Sequence, residues 1–199
     1  MVRVSPGPDS SMEALLTSLG VIAVAEIGDK TQLLSLALAS RFRRPVPIIL
    51  GILVATLANH TAAGLVGAWI GAQLAPSLLR WVLGFSFLGM AVWALVPDRP
   101  PDEVAGRRHG AFIATAISFF LAEIGDKTQI ATVALAARFD ALLPVIVGTT
   151  AGMLAANVPA VLCGHYAGYR LDARWMRYAA AALFAAQAGW TLAGYEIPA

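Results

Sequence analysis

Charge is what this sequence has least of. Only 13% of its 199 residues are charged, against about a quarter in soluble domains, too few to coat a soluble globule. The 14 Lys and Arg barely outnumber the 12 Asp and Glu, and no basic cluster interleaves with aromatics, so nucleic acid is set aside as a partner. The single cysteine, Cys163, allows no internal disulfide, and in an apolar segment it reads as a small packing residue. The polar, proline-containing residues 1–11 lead into an apolar run interrupted by Glu26, Asp29 and Lys30, without a small-residue cleavage site. They read as a short tail, not a signal peptide. What is abundant is hydrophobic, 58% of the chain, which places it among membrane proteins.

Crossing roughly 30 Å of hydrocarbon takes about 20 apolar residues. Six stretches are long enough: 12–40, 46–74, 77–96, 110–138, 142–168 and 173–194. All should be helical, since backbone polar groups in lipid must be satisfied within the segment, and a closed barrel would show polar/apolar alternation. Arg43-Arg44-Pro45, Ala75-Pro76, residues 97–109, Asp140 and residues 170–174 mark the breaks.

Compared with itself, the chain repeats. Ala25-Glu26-Ile27-Gly28-Asp29-Lys30-Thr31-Gln32 returns unchanged as Ala122-Glu123-Ile124-Gly125-Asp126-Lys127-Thr128-Gln129, an offset of 97. The same offset of 97 pairs Arg41-Phe42 with Arg138-Phe139, Gly51 with Gly148, Gly67 with Gly164, Gly71 with Gly168 and Trp93 with Trp190. Each half holds three spans, an odd number, so the second half enters the membrane upside down. The expected fold is therefore an all-α integral membrane protein of six transmembrane helices in two inverted three-helix repeats. Its parts are an N-terminal tail (1–11), a first repeat (12–97), a cytoplasmic linker (98–109) and a second repeat (110–195).

Connections one, three and five carry Arg41, Arg43, Arg44, Arg99, Arg107, Arg108, Arg170, Arg174 and Arg177, while the other side has Arg3, Arg80 and Arg138. The positive-inside bias makes the first set cytoplasmic and puts both termini outside. Trp69, Trp81, Trp93 and Trp175 lie near span ends, the usual place of interfacial aromatics.

An ionisable side chain within a span costs several kcal/mol and usually faces a bundle interior or water cavity with a partner. Here that cost is met twice. On a continuous helix Glu26, Asp29 and Lys30 project from one face, as do Glu123, Asp126 and Lys127. Gly28 and Gly125 permit close helix contact, or a local break that frees backbone carbonyls. Thr31, Thr128, Gln32 and Gln129 offer neutral oxygens, although on a regular helix the threonines point away from the carboxylates and would join only after unwinding. Two carboxylates and one ammonium per motif sum to minus two over both motifs, which matches a divalent cation. Carboxylate and amide oxygens without thiolate or clustered imidazole suit Ca²⁺, Mn²⁺ or Mg²⁺ better than Zn²⁺ or Cu⁺. Without the ion, four crowded carboxylates would repel one another and take up protons. An ion-or-proton choice at one site is the minimal chemistry of antiport, and inverted repeats supply two related conformations for it.

The plainer reading makes each Asp29/Lys30 or Glu26/Lys30 set a structural ion pair. Asn59, His60 and Asn157, the last at the position matching His60, lie in the second span of each half. There they line a polar path or simply bond across helices. Gly64, Gly67 and Gly71, echoed by Gly164 and Gly168, suit close helix packing, and His109 and His165 fall near span ends.

Two copies of E-x-G-D-K-T on the first span of each three-helix repeat resemble the small cation/proton antiporters that include the Golgi manganese and calcium transporter and bacterial manganese exporters. The resemblance covers nearly the whole chain, and both motifs are complete. It implies export of Mn²⁺ or Ca²⁺ from the cytoplasm in exchange for protons, the ion being the transported substrate and not a cofactor. It also implies Glu26, Asp29, Glu123 and Asp126 as ligands, with Gln32 and Gln129 as second choices. Lys30, Lys127, Thr31, Thr128, Gly28, Gly125 and Asn157 would support them. Eukaryotic members often carry N-terminal extensions and a longer central loop, so a prokaryotic plasma-membrane protein is expected. The implied partners are a divalent metal ion, protons and the lipid bilayer, with a homo-oligomer as an option. A passive cation channel is the alternative. An intramembrane aspartyl protease is not: its G-x-G-D signature fails because Glu26 stands where the first glycine would be, so no enzyme is expected.

Overall fold

The computed structural model describes residues 8–96, 110–139, 141–166 and 173–193. The expected linker 98–109, Asp140 and the first residues of the tail lie outside them. So do the side chains of His109, His165 and Trp175.

The described residues form eight helices: α1 (Pro8–Glu26), α2 (Lys30–Phe42), α3 (Pro45–Gln73), α4 (Pro76–Ala94), α5 (Ala111–Glu123), α6 (Lys127–Phe139), α7 (Leu142–Tyr166) and α8 (Ala173–Leu192). Prolines open α1, α3 and α4, where a missing N–H costs nothing. α1 starts at Pro8, earlier than the expected Met12. The larger departure is that the first and fourth apolar stretches are not continuous helices. Each breaks at its acidic motif, α1 from α2 and α5 from α6, and the first pair is bent by 70°. The cause is local. Gly28 and Gly125 sit at φ +82° and +74°, left-handed backbone that glycine adopts without Cβ strain and that ends an α-helix.

α3, α4 and residues 142–163 of α7 are each long and apolar enough to cross a membrane, and α1 with α2 passes the same test as a bent pair. α5, with 13 residues, spans only about 20 Å at 1.5 Å per residue. The surface fits lipid: Leu50, Val54, Leu65 and Trp69 are exposed along α3, while Thr56, Asn59 and His60 on the same helix are buried. Among the described residues of this multi-pass all-α membrane protein, the acidic-motif carboxylates and the polar side chains of Thr56, Asn59, His60 and Asn157 lie inside.

Packing between the halves is reciprocal. α1 lies along α7 as α5 lies along α3, and α2 meets α7 as α6 meets α3. A Cβ on Gly51 would stand 2.8 Å from both the Phe112 carbonyl oxygen and Thr115 Cβ; one on Gly148 would stand 2.4 Å from the Leu15 carbonyl oxygen and 2.9 Å from Ser18 Cβ. Leu15 and Phe112, like Ser18 and Thr115, are themselves 97 apart. Such exchange of equivalent contacts is what a two-fold relation between similar units produces. Gly67 and Gly71 let α3 touch the α6 backbone at Val133 and Ala137.

Candidate metal centre

Both helix breaks are built alike. The Asp29 amide donates to the Glu26 carbonyl and the Asp126 amide to the Glu123 carbonyl, each at 3.1 Å. The orphaned Gly28 N–H donates to Gln32 Oε1 at 2.9 Å, and that of Gly125 to Gln129 Oε1 at 2.7 Å. The two glutamines thus spend their amide oxygens on the breaks. Gln32 also donates through Nε2 to the Ala156 carbonyl on α7 at 3.1 Å.

Unwinding brings in the threonines, which a regular helix would have turned away. Thr31 Oγ1 donates to Glu26 Oε2 at 2.5 Å, and Thr128 Oγ1 to Glu123 Oε2 at 3.0 Å. Asn157 Nδ2 approaches the same Glu26 oxygen at 3.5 Å, and Ser35 Oγ donates to Asn157 Oδ1 at 2.8 Å. Sequence reasoning passed over Ser35. The available signal was the hydroxyl at its repeat equivalent, Thr132.

Glu26 and Glu123 are fully buried, and Asp126 nearly so. These three carboxylates each bring an oxygen within 4.8 Å of the others. Two oxygens on one Ca²⁺-sized ion, bound at about 2.3–2.6 Å, stand at most about 5 Å apart, so the group has the spacing of a cation site. Glu26 Oε1 and Glu123 Oε1 are buried without a hydrogen-bond partner among the described residues, an expensive state for anionic oxygens unless a cation or proton meets them.

Asp29 stands outside that group. Its carboxylate is paired with Lys127, and Lys30 Nζ lies 2.6 Å from Asp126 Oδ1. This corrects the in-motif ion pairs weighed from sequence, because each lysine reaches across to the other half. It also corrects the expectation that Glu, Asp and Lys of one motif share one helix face. Asp29 is the residue preceding α2, yet its side chain makes no capping bond there. The pairs differ in setting: Lys30 is 23% exposed and Lys127 only 3%.

The family model described as divalent cation/proton antiporter GDT1 matches residues 14–102 and 111–197, one stretch per repeat. The chain belongs to this family. As a member it is a divalent cation transporter, and the family is one of transporters, not enzymes. The antiporter is 51% identical over 183 residues to a Vibrio cholerae protein named "Putative manganese exporter", covering 91% of this chain and 92% of the relative. It is 27% identical over 225 residues to GDT1-like protein 3 of Oryza sativa subsp. indica, covering 98% of this chain and 77% of that one. No solved structure matches it.

Proposed function

We propose that this antiporter exports Mn²⁺ from the cytoplasm in exchange for protons by alternating access, with Ca²⁺ as the second candidate cargo. The 4.8 Å grouping of Glu26, Glu123 and Asp126 carries the reading: three buried carboxylates from both halves converge where the helices are broken, as in transporters that bind ions at discontinuous helices. The name of the Vibrio cholerae relative supports manganese as the cargo.

The ligands are Glu26, Glu123 and Asp126 in this conformation, and Asp29 takes the place of Asp126 in the opposite one. The two cross-half lysine pairs differ in exposure here, and exchanging their settings would carry the site from one membrane face to the other. Thr31, Thr128 and Asn157 hold the glutamates. Gln32 and Gln129 act first by stabilising the breaks and serve as ligands only after releasing Gly28 and Gly125. Four carboxylates and two ammoniums sum to minus two when ionised, which a divalent cation neutralises and which protons neutralise after it leaves. The chain would span a prokaryotic plasma membrane six times, as two inverted repeats at 12–97 and 110–195 joined by a cytoplasmic linker, with both termini outside. In this arrangement α1 with α2, and α5 with α6, each form one broken span.

Proteoliposomes holding the purified protein and a pH-sensitive dye test this. Mn²⁺ uptake with opposite proton movement, lost in Glu26→Gln and in Glu123→Gln, is the expected result. Ion flux with no proton movement would make the chain a channel.

A further inference from the structure

Away from the carboxylate group, α1, α6 and α8 frame a cavity of about 270 Å³ lined by Glu13, Thr17, Arg138, Ala186, Gln187 and Trp190. A single water needs about 10–15 Å³ of such space, so the cavity admits a polyatomic group. It sits at the end of the bundle where α1 begins and α8 ends. Glu13 lies about 20 Å along α1 from Glu26, and Arg138 about 16 Å along α6 from Lys127, at 1.5 Å per residue. Arg138 is half-buried. Its Nη1 donates to Gln187 Oε1, a neutral acceptor, and its Cζ lies 4.8 Å from the Phe139 ring centroid. Glu13 shares the cavity, yet among the described residues no ion pair joins it to Arg138. The cavity therefore holds one charge of each sign, both available to an occupant. The other repeat lacks this set. Arg138 and Trp190 recur there as Arg41 and Trp93, but Glu13, Thr17 and Gln187 are matched by Gly110, Ala114 and Met90, so the residues that make the cavity polar are not a by-product of the repeat.

We infer that this cavity is a headgroup site for a zwitterionic aminophospholipid, with the phosphate on Arg138 and Thr17 and the primary ammonium on Glu13. A guanidinium fork matches phosphate oxygens, and an ammonium donates hydrogen bonds that a carboxylate accepts. Arg138 and Glu13 sum to zero charge, which suits a neutral headgroup. An anionic lipid would gain Arg138 and be repelled by Glu13, and a trimethylammonium headgroup has no N–H to give to Glu13. The surroundings favour a lipid over a free solute: Met12 and Leu16, next to Glu13 and Thr17 on α1, are each 57% exposed, and Trp190 is 51% exposed, an apolar rim that acyl chains would cover, with the indole where interfacial aromatics sit.

The full-length protein is reconstituted in vesicles of equal parts phosphatidylethanolamine, phosphatidylcholine and phosphatidylglycerol, extracted in mild detergent, and the lipid that stays bound is identified by native mass spectrometry. Wild-type protein is expected to keep phosphatidylethanolamine about fivefold more often than either of the others, the discrimination that one partly exposed charge pair supplies. Glu13 is exposed, so Glu13→Gln carries little risk to folding; it should erase the preference over phosphatidylglycerol while lipid is still retained. Arg138→Gln should lose bound lipid of all three kinds. Phosphatidylethanolamine kept no better than the others, or a preference that survives Glu13→Gln, would overturn the inference. Soluble glycerophosphoethanolamine that raises the melting temperature as much as the lipid does would also overturn it, because the occupant would then be a free solute.

Discussion

Lys30 and Lys127 are equivalent in sequence and unequal in surroundings. Removing Lys127, itself 3% exposed, breaks an ion pair buried on both sides, a loss of about 3–5 kcal/mol, whereas Lys30 is 23% exposed, so water replaces part of what its removal takes from Asp126 and the loss is smaller. Thermal unfolding in detergent should show Lys127→Ala melting well below Lys30→Ala. Equal losses would contradict the asymmetry of the two pairs. The sequence named the participants at this scale, since charge set twice, identically, in apolar surroundings is too costly to keep without a site to serve. It did not name the partners. That each lysine pairs across a separation of nearly half the chain depends on how the fold brings the two helix breaks together, which no spacing within a motif encodes. Thr31 was legible only conditionally, its contact with Glu26 requiring a break that periodicity cannot register.

At the scale of the element, the broken helices decide what the carboxylates can do. Hydropathy measures the length of an apolar run and not its direction, so 12–40 and 110–138 read as single spans, although the glycine inside each motif left a break open. Gly125 isolates the effect, because a Cβ there meets nothing within 4 Å and only its φ of +74° resists substitution. Gly125→Ala should cost about 1–2 kcal/mol and abolish transport while the protein still inserts and purifies, as measured by flux in proteoliposomes and by yield. Undiminished transport would mean that the break is not needed. Close packing of α3 on α6 makes a separate prediction. A Cβ on Gly67 would lie 2.2 Å from the Val133 carbonyl oxygen, so Gly67→Ala must move a helix and should cost about 1–3 kcal/mol, visible as a lower melting temperature. The glycine stripe suggested such a contact from sequence, but which helix it meets came only from the fold.

For the whole molecule, the offset of 97 residues was the most legible feature, and the reciprocal contacts of Gly51 and Gly148 give it spatial form. On the proposed account, two similar halves that trade equivalent contacts would give the site two related arrangements, the one seen here with Asp126 beside the glutamates and an opposite one with Asp29. The most direct test of that claim is Mn²⁺-driven proton movement in proteoliposomes across Asp29→Asn and Asp126→Asn. If the aspartates alternate, each substitution stops the full exchange cycle, and each leaves Mn²⁺ binding intact in the conformation that uses the other. If Asp29→Asn exchanges Mn²⁺ for protons at the wild-type rate, Asp29 takes no turn at the ion and the alternating account is wrong.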